Sequence, residues 1–174
     1  MPYAVTHVLL TIILVDIYRD YFAKKNKKYF TLHTILVAGI GGLLSDIDVP
    51  LNWLFNIFGY TYPLFEHGGI THTPFFGLLF LVPAFILLNK KKHKSSMYFF
   101  VLSFGVLLHI LLDYVLGGGA HTGIMFFWPL STAGYKIHLL NQLGLSNVPA
   151  ALDALILLGW LYHEEGKHKI KDFI

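Results

Sequence analysis

Apolar stretches alternate with polar punctuation along the whole chain. Pro2 to Val15 is apolar and continues through the more polar Asp16 to Phe22, where Lys24-Lys25-Asn26-Lys27-Lys28 ends it. Thr31 to Leu44 is apolar and runs into Ser45-Asp46-Ile47-Asp48. Leu51 to Gly59 is short and aromatic and reads as an interfacial segment. Pro74 to Leu88 is strongly apolar and stops at Lys90-Lys91-Lys92-His93-Lys94, and Met97 to Leu116 is closed by Gly117-Gly118-Gly119. Gly123 to Gln142 is mixed, and Val148 to Tyr162 is apolar ahead of a basic tail, Lys167 to Lys171. A spanning helix needs roughly 20 apolar residues, with about 17 as the lower end. Met97 to Leu116 meets that outright, and the other stretches reach it with flanking aromatic or polar residues. The pattern predicts an all-α polytopic membrane bundle of about five transmembrane helices, with four as the alternative, in a single domain over residues 1–174.

Composition supports lipid over water as the surrounding solvent. The chain is 55% hydrophobic and 13% charged, against about a quarter charged in a typical soluble domain, and its mean hydropathy is +0.60. Cysteine is absent, which excludes disulfides and thiolate metal sites. The pI near 9.0 does not point to nucleic acid, because the lysines sit in short runs between apolar stretches, as cytoplasmic loops do. The N-terminus carries no basic n-region or small-residue cleavage site and does not read as a cleaved signal.

Lysine and arginine collect on the cytoplasmic side of a membrane protein. Here the basic runs follow span one, separate spans three and four, and follow span five. With five spans they share one side, and of the thirteen basic residues Lys136 alone falls elsewhere. The predicted orientation is N-terminus out and C-terminus in. On that scheme His7, Asp46, Asp48, His67, His72, His109 and Asp113 all fall at the outer end. The orientation came from the lysines, so this convergence is independent support for a shared site.

The residue types suit a metal. His109 and Asp113, spaced i, i+4, lie on one helix face. Asp46 and Asp48 diverge on a regular helix but converge if it breaks there, and Pro50 favours a break. The Gly68-Gly69 pair lets the segment between His67 and His72 fold tightly, so that both imidazoles turn inward. Each group alone has a structural reading: a surface histidine, a helix cap, a buried hydrogen-bonded pair. Ionisable groups within apolar spans are costly, however, and are usually functional. Imidazole and carboxylate without thiolate favour zinc, with manganese or iron as alternatives, and seven groups suffice for one or two ions. Glu66 is a candidate general base, as is Asp46. His121 and Asp153 are accessory candidates. Asp16 and His33 fall toward the basic half and can pair with each other. His93, His163 and His168 read as solvated.

These residues carry a resemblance. The chain has Thr6-His7, then Leu43-Leu44-Ser45-Asp46-Ile47-Asp48-Val49-Pro50, then His67-Gly68-Gly69-Ile70-Thr71-His72-Thr73. It continues with His109-Ile110-Leu111-Leu112-Asp113, Gly123-Ile124 and Trp128-Pro129-Leu130-Ser131. In order and spacing these resemble the motifs of a family of inner-membrane-associated metal-dependent hydrolases described as LexA-binding. The resemblance covers roughly the first three quarters of the chain. It implies a multi-span helical protein with hydrolase activity and supports the same seven residues as the polar set. Three positions depart from the family pattern: Ser45 stands for a proline, Val49 for a frequent histidine and Gly68 for an arginine able to bind an anionic substrate group.

The expectation is metal-assisted hydrolysis at the outer membrane–water boundary, acting on a lipid or lipid-linked phosphoester or ester. The protein would lie in the cell's inner membrane, with membrane lipid as its partner and the site facing the extracytoplasmic side. Two other readings compete. A divalent-metal transporter or channel needs polar groups along a path through the bilayer. A non-catalytic membrane scaffold needs a structural metal that is coordinatively closed.

Overall fold

The computed structural model describes residues 4–60, 67–116, 123–128, 130, 131, 133–144 and 149–168. Helix α1 (Ala4–Ile17) widens into a π turn over Tyr18–Phe22, and a 3-10 stretch, Lys24–Tyr29, leads to α2 (Leu32–Leu44). One 3-10 turn, Ser45–Ile47, joins α2 to α3 (Asp48–Ile57). A second such turn, Ile70–His72, precedes α4 (Pro74–Leu79) and α5 (Leu81–Asn89). Then come α6 (His93–Leu116), the short α7 (Leu139–Gln142) and α8 (Pro149–His168). Among the described residues the only strand-like pairing is the isolated bridge between Ile124 and Tyr135, so the expected all-α class is the one observed.

The span pattern is met in part. The continuous path Leu32–Ile57 and helix α6 are long and apolar enough to cross a bilayer, while Pro74–Asn89 is apolar but shorter. The path through Asp46 and Asp48 differs from the expected break. Pro50 falls in the first turn of α3, where its missing N–H costs no helical hydrogen bond, so the chain tightens for one turn and resumes. Leu51–Ile57 thereby belongs to this helical path and is not a separate interfacial piece.

Burial is inverted relative to a water-soluble domain. Thr11, Thr34, Thr73, Asp48, Ser45 and His109 have no exposed surface, whereas Leu32, Leu36, Phe85, Leu111 and Leu158 lie on the outside. Such an arrangement leaves apolar side chains for lipid and collects the polar ones between helices. Ser96 Oγ donates to the Ala84 carbonyl at 2.8 Å and Ser103 Oγ to the Gly77 carbonyl at 2.9 Å, tying α5 and α4 to α6.

Helices α2 and α6 share the most extensive interface, with α1 packed on both. Small residues make this crossing possible. A Cβ at Gly105 would sit 2.6 Å from the Ala38 carbonyl oxygen, and one at Gly41 would sit 2.6 Å from that of Leu102. Close backbone approach through small residues is a common solution for helix packing in lipid.

The polar ends of the bundle are sorted. Tyr29 and His93 bring the first two basic segments together, with ring centroids 5.6 Å apart. Lys167 lies 4.6 Å from the Tyr21 ring centroid, which brings the third to the same end. At about 1.5 Å rise per residue, His109 lies roughly 24 Å along α6 from His93.

Candidate metal centre

Four chain segments deliver the seven expected residues to one place. His7 comes from the first turns of α1 and stacks on His109 of α6, with centroids 3.7 Å apart and planes 20° off parallel. Asp113 follows His109 by one turn and reaches both rings: Oδ1 lies 3.3 Å from His7 Nε2, and Oδ2 lies 3.3 Å from His109 Nε2. Asp46, on the 3-10 turn after α2, places Oδ1 3.5 Å from His109 Nε2 and 3.4 Å from His72 Nε2. His72 Nε2 is also 3.7 Å from Asp113 Oδ2. The start of α4 fixes the position of His72, since Thr73 caps that helix by accepting from the Phe76 N–H at 3.3 Å, with Pro74 at the first helical position.

The two aspartates of the Ser45-Asp46-Ile47-Asp48 run address opposite edges of the His72 ring. Asp46 faces Nε2, whereas Asp48 Oδ2 lies 3.2 Å from Nδ1. Asp48 also has Oδ1 3.3 Å from His67 Nδ1 and accepts from the Gly68 N–H at 3.3 Å. Gly68 has φ +88°, a conformation that glycine adopts without penalty; this is the tight fold expected of the His67–His72 segment. The seven residues divide into an inner set (His7, Asp46, His72, His109 and Asp113) and an outer pair (Asp48 and His67). The outer carboxylate stands where a carboxylate orients a ligand imidazole through its second nitrogen.

The inner set fits a divalent ion on two observations. His72 Nε2, His109 Nε2 and Asp113 Oδ1 are buried with no hydrogen-bond partner, an arrangement that is costly unless something else satisfies them. Their spacing is the second. Ligands at 2.0–2.1 Å from a tetrahedral ion stand about 3.3–3.4 Å from one another, and four of the histidine–aspartate separations in the inner set lie between 3.3 and 3.5 Å. The carbonyl oxygen of Gly42 lies 2.7 Å from His109 Nδ1. A carbonyl only accepts, so Nδ1 carries the proton and the Nε2 lone pair faces the cluster.

Burial is uneven across the cluster. The Asp46 side chain is 22% exposed and His67 23%, while His72, His109 and Asp48 are at 1% or less. The cluster is therefore most accessible at Asp46 and His67, and Ile47, Val49 and Phe75, close to its residues in the chain, are exposed. His72 lies outside the crossing helices. Burial alone would lower its pKa, but the carboxylates of Asp46, Asp48 and Asp113 beside the ring outweigh burial and raise it to about 9.

The remaining candidates are placed differently. Glu66 and His121 lie outside the described residues. Asp153 is buried on α8 and accepts from Thr6 Oγ1 at 2.6 Å, so it holds α8 to the turn that carries His7. Asp16 does not pair with the exposed His33. Arg19 takes it at 2.7 Å and the Trp160 indole N–H lies at 3.4 Å, because residues three apart on a helix meet more readily than residues on neighbouring helices. His163 is not simply solvated, since the Tyr21 hydroxyl lies 3.1 Å from its Nε2. Three contributors carried no signal in the residue pattern: the Gly42 carbonyl, Thr6 and the glycines of the α2–α6 crossing. The loop after α6 carries Gly123 at φ +104°, where a Cβ would meet the Tyr135 carbonyl oxygen at 2.6 Å. Ile124 beside it packs with Val106 and Ile110 of α6.

No curated protein and no solved structure matches the chain. The sequence model of the YdjM inner membrane protein family matches residues 1–168. Its description agrees with the inner-membrane part of the resemblance and carries neither hydrolysis nor LexA binding. With nearly the whole length matched, the chain belongs to the YdjM inner membrane protein family.

Proposed function

We propose that this protein is a metal-dependent hydrolase whose site lies at the extracytoplasmic boundary of the inner membrane. One observation carries the reading: three buried donor atoms without hydrogen-bond partners, on His72, His109 and Asp113, belong to two triads that share His109, His7–His109–Asp113 and Asp46–His72–His109. His7, His109 and Asp113, with His72 beside them, would hold the ion, zinc being the best match to this donor set. When bound, it supplies Lewis acidity toward a phosphoryl or carbonyl oxygen and acidifies water. Asp46, the most accessible carboxylate of the cluster, accepts the proton of the attacking water. Asp48 positions His72 and His67. The exposed Ile47, Val49 and Phe75, close to these residues in the chain, favour a lipid or lipid-linked phosphoester or ester.

Five crossings with the N-terminus outside are the arrangement this reading uses. The lysine runs at the opposite end support it. A transport path is disfavoured because the buried Val15, Phe30, Ile35, Ala38 and Val101, between the cluster and the basic end, are apolar. The test is metal analysis of the detergent-purified protein, followed by turnover of lipid phosphoesters and carboxylic esters. Stoichiometric zinc with hydrolysis, both lost in His109→Ala, is the expected result. Absence of bound metal sinks the site, and a fully metallated protein inert on both substrate classes sinks the enzyme and leaves a scaffold.

A further inference from the structure

A groove of about 680 Å³ runs between α1 and α6 in the half of the bundle remote from the metal centre. Its volume is within the range of small-molecule sites, about 300–1,000 Å³. The stacked His7 and His109 bring the two helices together at one end, and the groove lies between them toward the other. Val15 and Val101 are its buried floor, and the exposed Leu14, Phe22 and Phe104 are its rim. Along α6 it extends from Met97 to Phe104, roughly 10 Å at the helical rise, which is less than one leaflet of the hydrocarbon core.

Its inner end abuts the basic segments. Met97 follows His93 and Lys94 by one turn, and Phe30 follows Lys28 and Tyr29. Lys28, His93 and Lys94 are exposed, and the Tyr29–His93 ring contact holds the two segments together. Arg19 and Lys27 are paired with the carboxylates of Asp16 and Asp20, whereas Lys28 lies 5.1 Å from the Tyr29 ring centroid. An apolar slot shorter than one leaflet with cations at its mouth matches a molecule with an alkyl chain and an anionic head.

We propose that this groove binds one acyl chain of an anionic phospholipid from the leaflet at the basic end, with the lipid phosphate against Lys28 and Lys94. A juxtamembrane lysine near an anionic lipid surface is worth about fivefold in affinity, so the charged mouth selects among lipids that would all fit the slot. This site is separate from the metal centre and does not depend on that reading.

The test uses the full chain in neutral detergent with phosphatidylglycerol or phosphatidylcholine of the same acyl composition, each carrying a diazirine on one chain. Photolabelling of peptides containing residues 14–22 and 97–104 is expected to be several-fold stronger with phosphatidylglycerol. Lys28→Glu/Lys94→Glu should remove that preference while leaving the labelled peptides the same. Leu14→Trp and Phe104→Trp, which narrow the slot from its exposed rim, should each lower labelling at both peptides. Equal labelling by the two lipids overturns the anionic assignment. Labelling spread evenly over the exposed helix faces, or unchanged in both tryptophan variants, overturns the groove as the site.

Discussion

The carbonyl oxygen of Gly42 lies 2.7 Å from Nδ1 of His109. One backbone group on α2 thus sets the tautomer of a ring on α6, while the bare Cα of the same residue lets α1 approach. A Cβ at residue 42 would fall 2.7 Å from both the His7 carbonyl oxygen and Thr11 Oγ1. Gly42→Ala is expected to push α1 from α2 and disturb the His7–His109 stack. Loss of such an orienting contact typically weakens metal affinity by about 10–100-fold. Zinc titration of the purified variant against wild type measures it, and unchanged affinity would show that the close α1–α2 approach at residue 42 does not position His7 for the metal.

Asp113 and Asp48 should behave differently when their charge is removed at constant shape. Asp113→Asn strips the carboxylate that touches three imidazoles, so stoichiometric zinc should be lost. Asp48→Asn leaves the inner set intact and should keep the metal at an affinity lower by about 10–100-fold. Elemental analysis at saturating and at limiting zinc separates the two. Full metal in Asp113→Asn would show that the inner set has been misassigned.

The pH dependence of metal binding derives from His72. The ring's pKa is 6.5 in the unfolded reference and about 9 in the metal-free fold, so the fold holds an extra proton between those values. The ion pairs of His72 thus contribute stability fully below pH 6.5, and that contribution is lost as pH rises through about 9. Zinc needs the neutral ring and displaces this proton. Zinc affinity is therefore expected to rise with pH across the neutral range, by about tenfold per unit for this proton, and to level off near 9. Competition titrations between pH 6.5 and 9 would show this slope, and a flat profile would contradict it.

Packing makes a contrast between two glycines. Gly105→Ala places a methyl 2.6 Å from the Ala38 carbonyl oxygen at the α2–α6 crossing, where backbone atoms surround it. The cost should be about 1–3 kcal/mol, as for other overpacked sites. Gly159→Ala on α8 meets nothing within 4 Å, and should be neutral or stabilising by about 0.5–1 kcal/mol through helix propensity. Thermal unfolding in one detergent ranks the pair.

Thr6→Val tests the tie between α1 and α8. It removes the donor 2.6 Å from Asp153 Oδ1 and leaves a buried carboxylate oxygen without it, at a cost of about 1–3 kcal/mol. Thr6→Ser keeps the hydroxyl and should restore most of the stability. Equal melting temperatures for wild type and Thr6→Val would remove Asp153 as an anchor.

Much of the cluster was legible because its signals are local. His109 and Asp113 declare a shared face by their spacing, and the lysine runs sort the chain ends without any knowledge of packing. Asp46 and Asp48 were legible as a pair but not in their division of labour. That division depends on a single 3-10 turn, which aims one carboxylate at each edge of His72. Gly42, Thr6 and Gly105 escaped because their roles exist only across helix interfaces, where partners are distant in sequence. The Asp16–His33 pairing failed for the converse reason: Arg19, one turn away on the same helix, reaches the carboxylate first.

The donors of the metal centre begin at His7 and end at Asp113, on segments that leave the ribosome far apart in time. If helices enter the bilayer in order, His7 and Asp46 are in place well before the ring and carboxylate of α6 arrive to meet them. On the proposed ligand set, metal capture would then wait until α6 has seated in the gap beside α1 and α2.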